Sequence, residues 1–326
     1  MSAQVPQAGR PLIVGIDIGG TKTHMRAVVA DALSEPSPPL DRVLASSRWR
    51  TRGWNDDARG LLDLLAQFVD RTTVVALAIG AHGCDDDSEC AAFEAALRAL
   101  TDIPLLVVND AELMPLALGM PGQIGVVAGT GSIAVCRPCG QGMMSAGGWG
   151  WVVGDEGSAA GLVREAVRAV GRHLDAGGEE DEPLSLALLA SMSVPAVPRL
   201  GSALAALGGA AAVGAHAEAV FAAAAAGSAL ARRVIEEGGR ELARLVMHLD
   251  ARGAGARDAV AGGSVIVAQP SLWAAFSDAV RQASGGRITP HLFSGSPVEG
   301  ACRLAATLVR PPAGVQGPGS KTTALI

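Results

Sequence analysis

The chain has no tyrosine, five phenylalanines and five tryptophans among its 326 residues, so aromatic side chains are scarce. No apolar run approaches the roughly 20 residues that a helix needs to cross a bilayer, which argues against a membrane protein. Lysine and arginine are scattered and the net charge is −6, which argues against binding to nucleic acid or to an anionic membrane surface. The N-terminus lacks the apolar core of a signal peptide, and the five cysteines are an odd number. We therefore expect a cytoplasmic protein with free thiols.

The composition is that of a globular protein, with 49% hydrophobic and 18% charged residues. Its length fits two domains of ordinary size. Residues 310–326 are rich in proline, glycine and serine, and we expect this tail to be disordered.

Two segments share one pattern of strand, glycine and threonine turn, and strand: GIDIGGTKTHMRAVV at 15–29 and GVVAGTGSIAVCR at 125–137. Further strands and amphipathic helices follow both segments, which is typical of α/β proteins. We interpret the pattern as an internal duplication that gives two α/β lobes with a cleft between them. The predicted elements include strands at 42–49 and 259–267 and a helix at 111–118.

The first turn, DIGGTKT at residues 17–23, has successive backbone amides that can form an anion-binding nest. Thr21 and Thr23 add hydroxyl donors, and Lys22 adds positive charge. Asp17 ends the preceding strand, where a carboxylate can hold a magnesium ion through water. A plain hairpin also favours glycine at such a turn. The matching second turn favours phosphate binding.

That second turn, GTGS at residues 129–132, repeats the same chemistry, and two phosphate-binding turns facing one cleft suit a nucleoside triphosphate. Neither turn is a Walker loop, which needs a lysine after its last glycine and a following helix. No GxGxxG motif opens a helix, so a dinucleotide fold has no support. Gly262, Gly263 and Ser264 come at the end of a later strand before a helix, where the backbone can pass close to a flat ring such as adenine.

The most informative stretch is GGWGWVVGDEGS at residues 147–158, directly before a predicted helix. Its glycines let the backbone approach a ligand closely. The tryptophan faces suit the apolar side of a sugar ring, and Asp155 and Glu156 can accept hydrogen bonds from hydroxyls. The alternative is a tight, buried connection whose tryptophans, Trp149 and Trp151, fill the core.

Three polar residues outside the glycine-rich turns are further candidates. Asp110 ends a buried strand before a helix, and an aspartate there can accept the proton of an attacking hydroxyl; it can also serve as the helix N-cap. Asn55 at a helix start is equally well an N-cap or a ligand contact. His82 follows a strand and can line the cleft, although a lone histidine is more often a bystander. Cys136 and Cys139 lack the second pair that a zinc site requires.

Together these motifs resemble the N-acetylglucosamine kinases, in the BadF/BadG/BcrA/BcrD-type ATPase branch of the sugar kinase, Hsp70 and actin superfamily. The resemblance covers residues 12–309. It rests on GIDIGGTKT (15–23), VVND (107–110), GTGS (129–132), GGWGWVVGDEGS (147–158) and AVAGGS (259–264). The first motif is also similar to the ROK sugar kinases, but CRPCGQG at 136–142 does not reproduce their cysteine-rich zinc segment.

The resemblance implies an α/β, actin-like ATPase fold of two ribonuclease-H-like lobes with nucleotide and sugar in a central cleft. We expect a first lobe at residues 1–118, a second lobe at 119–296, and a final helix at 297–309 that packs back onto the first lobe. The resemblance also implies residue roles. Phosphate or nucleotide contacts fall on Gly19, Gly20, Thr21, Lys22, Thr130, Gly131, Gly262, Gly263 and Ser264, magnesium on Asp17, the catalytic base on Asp110, and sugar contacts on Asn55, His82, Asp110, Gly148, Trp149, Asp155 and Glu156.

From these roles we expect a kinase that uses ATP and Mg²⁺ to phosphorylate the 6-hydroxyl of an amino sugar, with N-acetylglucosamine as the first choice. Glucosamine is a close alternative. A BadF-type activator ATPase that is not a kinase is an alternative from another class, and the loop at 147–158 favours the kinase. A sugar sensor without catalysis is a third alternative, against which Asp17 and Asp110 count. We also expect a homodimer.

Overall fold

The computed structural model describes residues 9–30 and 38–309, so the expected tail at 310–326 lies outside the described residues. In the described part, ten strands form two five-stranded mixed sheets. The strands are β1 (Leu12–Ile18), β2 (Lys22–Val29), β3 (Leu40–Ala45), β4 (Val74–Ala81), β5 (Leu105–Val108), β6 (Ile124–Ala128), β7 (Ser132–Cys136), β8 (Met144–Gly147), β9 (Asp258–Gly262) and β10 (Thr289–Leu292).

Twelve α-helices and four short 3-10 helices complete the described chain. The α-helices are α1 (Trp54–Phe68), α2 (Asp87–Arg98), α3 (Leu113–Ala117), α4 (Ala159–Asp175), α5 (Pro183–Met192), α6 (Leu200–Ala206), α7 (Ala210–Gly214), α8 (Ala217–Ala225), α9 (Ala229–Ala251), α10 (Ser264–Ala268), α11 (Pro270–Ala283) and α12 (Val298–Ala306). The 3-10 helices are Ser46–Arg48, Arg71–Thr73, Asp110–Glu112 and Val197–Arg199.

The two sheets have the same topology, with strand orders β3-β2-β1-β4-β5 and β8-β7-β6-β9-β10. In each, the first three strands are antiparallel neighbours and the last two extend the sheet in parallel. The glycine and threonine turns join β1 to β2 and β6 to β7, so they occupy equivalent positions in the two sheets. This repeated order explains the sequence duplication, and the predicted α/β fold of two related lobes is confirmed.

Helix α12 packs on the first sheet. A methyl group placed on Gly15 of β1 would lie 2.6 Å from the amide nitrogen of Cys302, so strand and helix approach at backbone distance. Ala305 of α12 is fully buried in a cluster with Ile13 and Ala76. This packing supports the lobes that we propose, 1–118 with 297–309 and 119–296.

A short segment of the first lobe is wedged between the two lobes. Ala111 and Met114 pack in one apolar cluster with Val135 and Val260 of the second sheet. A methyl group placed on Gly125 would lie 2.0 Å from the carbonyl oxygen of Ala111, an approach that only glycine permits. Residues 110–117 are therefore part of the first lobe in the sequence, but their side chains and backbone also pack against the second lobe.

Two predicted strands are longer than the observed ones. The strand predicted at 42–49 ends at Ala45, because the hydroxyl of Ser46 donates to the carbonyl of Gly19 at 2.9 Å and the chain turns into a 3-10 helix. The strand predicted at 259–267 ends at Gly262, because Gly263 takes a φ of 110° and α10 begins directly after it.

Among the described helices, no single one is long and apolar enough to cross a membrane. One pair, Pro183–Met192 with Val197–Ala206, passes a test of length and composition together, but it is bent by 57°.

Candidate active site

The hairpin between β1 and β2 forms one wall of the candidate site. The amide of Gly19 donates to the carbonyl of Lys22 at 2.9 Å, which closes the turn and leaves Gly20, Thr21 and Lys22 exposed. A methyl group placed on Gly20 would lie 3.6 Å from the His82 ring, so that ring borders the turn. The turn can therefore offer amides and a hydroxyl to an anion.

Thr23 does not share this exposure. Its hydroxyl lies 3.0 Å from the hydroxyl of Ser46 and accepts from the indole nitrogen of Trp49 at 3.1 Å, and the residue is fully buried. The prediction that Thr23 offers a donor to the ligand is wrong, because its hydroxyl is used to hold the turn against the 3-10 helix.

The second turn lies beside the start of α10. Its Gly129 amide donates to the Gly131 carbonyl at 3.0 Å, and a methyl group placed on Gly129 would lie 3.6 Å from the hydroxyl oxygen of Ser264. At Gly263, a methyl group would lie 2.6 Å from the carbonyl oxygen of Ala128, so the two segments touch through their backbones. The structure thus brings together the predicted contacts at 129–132 and 262–264.

A cleft of about 380 Å³ lies against both turns. Thr21 of the first turn, Thr130 of the second and Ser264 of α10 all line it, and these are three of the predicted nucleotide contacts. Its wall is extended by Phe221 of α8 and by Gln269. The volume lies within the range of small-molecule sites. Phe221 was not predicted, because the alanine-rich sequence around it carries no motif.

Asp110 begins the 3-10 helix after β5, but Asn109 caps that helix. The side-chain oxygen of Asn109 accepts the Ala111 amide at 2.9 Å, and the carboxylate of Glu112 accepts the Asn109 amide at 3.1 Å. The Asp110 side chain is 14% exposed, and Asn109 rather than Asp110 is the N-cap residue. The N-cap interpretation of Asp110 is therefore wrong, and its carboxylate is available for other chemistry.

Asp17 and Asp110 form a buried acidic pair. Burial, together with the negative charge of Asp110, raises the pKa of the Asp17 carboxyl to about 7, and the charge of Lys22 opposes that rise. Burial also raises the pKa of Asp110, which the charge of His82 opposes. A buried carboxylate whose ionisation is disfavoured by burial and by a second carboxylate is a ligand that would suit a divalent cation.

No cluster of three or more aspartate, glutamate, histidine or cysteine side chains suited to a metal ion occurs among the described residues. Mg²⁺ in phosphoryl-transfer sites is commonly held by one or two carboxylates together with phosphate oxygens and water. Asp17 fits that kind of site, with Asp110 beside it.

His82 lies between the first turn and Asp110. Its ring nitrogen Nδ1 is 3.9 Å from Oδ2 of Asp110, and its side chain is 44% exposed. Its backbone amide donates to the carbonyl of Ile18 at 2.8 Å, which fixes the residue at the end of β4 next to β1. His82 therefore lines the candidate site.

Asp155 packs beneath the second turn. Its Oδ1 accepts the Ser132 amide at 3.3 Å, and a methyl group placed on Gly131 would lie 2.9 Å from its Oδ2. The residue is 7% exposed and has a φ of 57°, an uncommon conformation for a residue other than glycine. Burial raises the pKa of the Asp155 carboxyl, against the effect of the Ser132 amide. The loop at 147–158 and the turn at 129–132 are thus joined through this carboxylate.

The other sugar candidates occupy more open positions. Gly148 donates its amide to the Ser132 carbonyl at 3.0 Å. Trp149 is 78% exposed, so it does not fill the core as the alternative interpretation required, whereas Trp151 packs against the core of the second lobe. Glu156 lies 3.9 Å from the guanidinium of Arg164.

Asn55 lies on α1 of the first lobe. It is exposed in the first turn of α1, whose N-cap is Gly53. The capping interpretation of Asn55 is therefore wrong, and its role as a ligand contact stays a prediction.

A buried ion pair that the sequence analysis missed supports His82. Arg50 donates through Nε to Asp57 at 3.3 Å and through Nη2 to the His82 carbonyl at 2.6 Å. The side chains of Arg50 and Asp57 are 6% and 1% exposed. No sequence pattern indicates this pair, because it depends on how the 3-10 helix Ser46–Arg48 meets α1.

Arg164 of α4 shapes the loop at 147–158. Its guanidinium donates to the carbonyls of Trp151 and Gly154 and lies 2.9 Å from Glu165. Two backbone carbonyls of the loop at 147–158 therefore accept hydrogen bonds from a charged donor, and such bonds are stronger than those from a neutral donor.

Arg137 links the two lobes next to the catalytic candidate. From the end of β7 it donates to Glu112 at 2.9 Å and to Asp87 of α2 at 2.5 Å. Because Glu112 also accepts the Asn109 amide, a residue of the second lobe holds the turn that carries Asp110. The ion pair with Arg137 also lowers the pKa of Asp87.

Solved structures share this architecture. A candidate N-acetylglucosamine kinase from Chromobacterium violaceum matches 91% of the chain and 99% of its own, with a TM-score of 0.63 and 20% identity. A candidate N-acetylglucosamine kinase from Porphyromonas gingivalis has a TM-score of 0.59, 18% identity and coverages of 91% and 99%. A ROK glucokinase from Streptomyces griseus, solved with glucose and AMPPNP, has a TM-score of 0.55, 17% identity and coverages of 91% and 98%. These likenesses show the fold.

The sequence is 32% identical over 174 residues to the N-acetylmuramic acid/N-acetylglucosamine kinase of Clostridium acetobutylicum. The match covers 52% of this chain and 56% of that relative, so it spans about half of each protein. The model of the BadF/BadG/BcrA/BcrD ATPase family matches residues 14–305, which include both turns, Asp110 and the loop at 147–158. The chain therefore belongs to the BadF/BadG/BcrA/BcrD ATPase family, as its motifs predicted.

Proposed function

We propose that this protein is an ATP-dependent kinase that phosphorylates the 6-hydroxyl of an amino sugar, with N-acetylglucosamine as the preferred acceptor. The observation that carries the proposal is the position of Asp110. Its carboxylate, which does not serve as the helix N-cap, lies beside buried Asp17 and 3.9 Å from His82. His82 in turn borders the first phosphate-binding turn. A base next to a phosphate-binding turn is the arrangement that hydroxyl phosphorylation requires.

Asp110 acts as the general base in this proposal. Its carboxylate takes the proton of the acceptor hydroxyl as the oxygen attacks the terminal phosphorus of ATP. Burial raises its pKa, which makes it a stronger base than an exposed aspartate, while the neighbouring charge of His82 limits that rise. We also assign His82 a sugar contact through a ring nitrogen, which its partly exposed side chain next to Asp110 supports.

The two turns hold the triphosphate. We assign phosphate contacts to Gly19, Gly20, Thr21 and Lys22 of the first turn and to Thr130 and Gly131 of the second, and adenosine contacts to Gly262, Gly263 and Ser264. The shared cleft lined by Thr21, Thr130 and Ser264 supports this assignment. Mg²⁺ bound at Asp17 would neutralise phosphate charge.

The loop at 147–158 holds the sugar in this proposal. Asp155 and Glu156 accept from sugar hydroxyls, Gly148 allows close approach, and the exposed Trp149 ring offers an apolar face. Asn55 contributes from the first lobe. The acceptor is a small molecule, and the homodimer stays a prediction.

A screen of acceptors tests the sugar. Coupled ADP release should show a kcat/KM for N-acetylglucosamine at least about tenfold above that for glucose, because the acetyl group adds apolar burial and an amide that can pair with the backbone. Glucosamine in the same screen tests the close alternative. If glucosamine leads, a carboxylate reads the free amine; if glucose leads, the amino sugar assignment fails.

The nucleotide cleft yields a separate prediction. Phe221→Ala should raise the KM for ATP roughly tenfold, because an aromatic wall of the cleft is lost, with little change in the KM for the sugar. Leu186→Ala removes an exposed apolar side chain of α5 in the same lobe and should leave both constants unchanged. Equal effects of the two substitutions on the KM for ATP would place adenosine elsewhere.

A further inference from the structure

Arg50 has one donor that nothing in the described structure uses. Its Nε and Nη2 are paired with Asp57 and the His82 carbonyl, but Nη1 is buried and has no hydrogen-bond partner within residues 9–30 and 38–309. Buried polar side-chain atoms nearly always have a partner, so an unpaired guanidinium N–H points to a missing group.

Arg52, two residues later, converges on the same place. A methyl group placed on Gly83 would lie 3.4 Å from Nη1 of Arg52 and 3.8 Å from Nη2 of Arg50. The Arg52 side chain makes no hydrogen bond or ion pair to any residue that the structure describes, and Arg52 is exposed. Two guanidinium groups therefore meet at Gly83, the residue directly after His82.

The backbone of Arg52, whose guanidinium lies near Gly83, has an unfavourable conformation. Its φ is 68°, in the left-handed region that residues other than glycine rarely adopt. Asp57 fixes that conformation, because its Oδ1 accepts the amides of Thr51 at 2.6 Å and Arg52 at 3.2 Å. Such strain is often found at ligand-binding sites.

Arg52 has no carboxylate partner among the described residues, whereas the charge of Arg50 acts on both Asp57 and Asp110. Asp57 is the carboxylate bonded to this segment, and it is already shared among the guanidinium of Arg50, the Thr51 hydroxyl and two backbone amides. A second anion would complete the arrangement, because guanidinium groups bind carboxylates through paired, charge-assisted hydrogen bonds.

We infer that Arg50 and Arg52 form a carboxylate subsite next to the acceptor site, and that the substrates include a hexosamine that carries a carboxylate. N-acetylmuramic acid, which stands in the name of the Clostridium acetobutylicum relative, is such a sugar, since a lactyl ether on its 3-oxygen ends in a carboxylate. The new assignment is the pair of arginines that would select it. Arg52 is the exposed donor that contacts the carboxylate, and the buried guanidinium of Arg50 adds positive charge behind it. The inference rests on the proposed function, because it places this carboxylate relative to a sugar whose 6-hydroxyl faces Asp110.

The test compares two acceptors in the full-length protein. With saturating ATP and Mg²⁺, kcat/KM for N-acetylmuramic acid and for N-acetylglucosamine is measured by ADP release. Wild type should use both sugars. Arg52→Gln should lower the ratio of the two constants, carboxylate sugar over neutral sugar, by at least about tenfold, since a charge-assisted bond is lost. Arg52→Lys keeps the charge without the paired donors and should give a smaller fall.

Two further variants control for misfolding and for effects of losing any exposed arginine. Arg52→Gly relieves the left-handed strain and should lower the ratio as much as Arg52→Gln does. Arg59→Gln removes an exposed arginine of α1 whose ion pair is with Asp56, and it should leave the ratio unchanged.

The outcomes separate the two proposals. A wild type that phosphorylates N-acetylglucosamine but rejects N-acetylmuramic acid overturns the subsite and leaves the kinase standing. An unchanged ratio in both Arg52→Gln and Arg52→Gly also overturns the subsite. If neither sugar causes ADP release, the proposed function fails, and the subsite fails with it.

Discussion

Asp110→Asn should lower kcat by about 10²–10⁴-fold, because an amide cannot take the proton of the acceptor hydroxyl. The fold should persist. The cap of the 3-10 helix is made by Asn109 and Glu112, so the substitution leaves that cap in place, and asparagine has nearly the same shape. Steady-state ADP release measures kcat, and circular dichroism and sugar binding by calorimetry verify that the variant folds and binds.

A matched control is Asp102→Asn, which changes an exposed aspartate in the loop before β5 and should leave kcat as it is. If Asp110→Asn retains more than about a tenth of the wild-type rate, Asp110 is not the base. A loss of sugar binding together with activity would instead show that Asp110 acts mainly as a ligand contact.

Asp17→Asn should make the ligand-free protein more stable and the enzyme much less active. The Asp17 carboxyl is 7% exposed, and its pKa is raised from 3.8 to about 7. Since each pKa unit corresponds to 1.36 kcal/mol, the ionised form lowers the free energy of unfolding by up to about 4 kcal/mol. Removing that charge should raise Tm by about 4 °C or more in the presence of EDTA.

The sign of the pH dependence follows from the direction of the pKa shift. Below pH 3.8 the carboxyl is protonated in both the folded and the unfolded chain, and its ionisation costs nothing. Between about pH 4 and pH 7 the folded chain keeps the proton that the unfolded chain has lost. The free energy of unfolding therefore falls progressively as pH rises through this range. The Tm difference between Asp17→Asn and wild type should therefore be larger at pH 8 than at pH 5.

Thermal melts at the two pH values measure this difference, and ADP release measures the loss of activity. Asp63→Asn, at an exposed position of α1, provides a control that should show neither effect. An Asp17→Asn variant that melts below wild type at pH 8 would mean that the carboxylate is stabilised in the folded chain. A variant with unchanged activity would remove Asp17 from the proposed metal site.

The sequence predicts the fold well because its signals are local. Each lobe opens with a strand, a glycine-rich turn and a second strand, and this pattern depends only on neighbouring residues. The loop at 147–158 and Asp110 at the end of β5 are found in the same way. Strand ends are less accurate: β3 stops at Ala45 because of a hydroxyl contact with Gly19, which lies far away in sequence.

The missed residues share one property, namely that their partners lie on other elements. Arg50 meets Asp57 and His82, Arg137 crosses between lobes, and Phe221 faces turns that lie far from it in sequence. Neither the helical period nor a motif marks such residues, because the same side chains on a surface helix would look identical in the sequence. Only the packing of the lobes distinguishes them.

The wedged segment at 110–117 has a mechanical consequence. It is packed in an apolar cluster with residues of the second sheet and tied to the second lobe by Arg137, so it would lie near the axis of a rotation of one lobe against the other. Groups near such an axis stay almost still, while those at the rim of the cleft travel furthest. If the lobes open and close in the proposed kinase, Asp110 would keep its place beside His82 and the first turn, while the second turn at 129–132 would move relative to it.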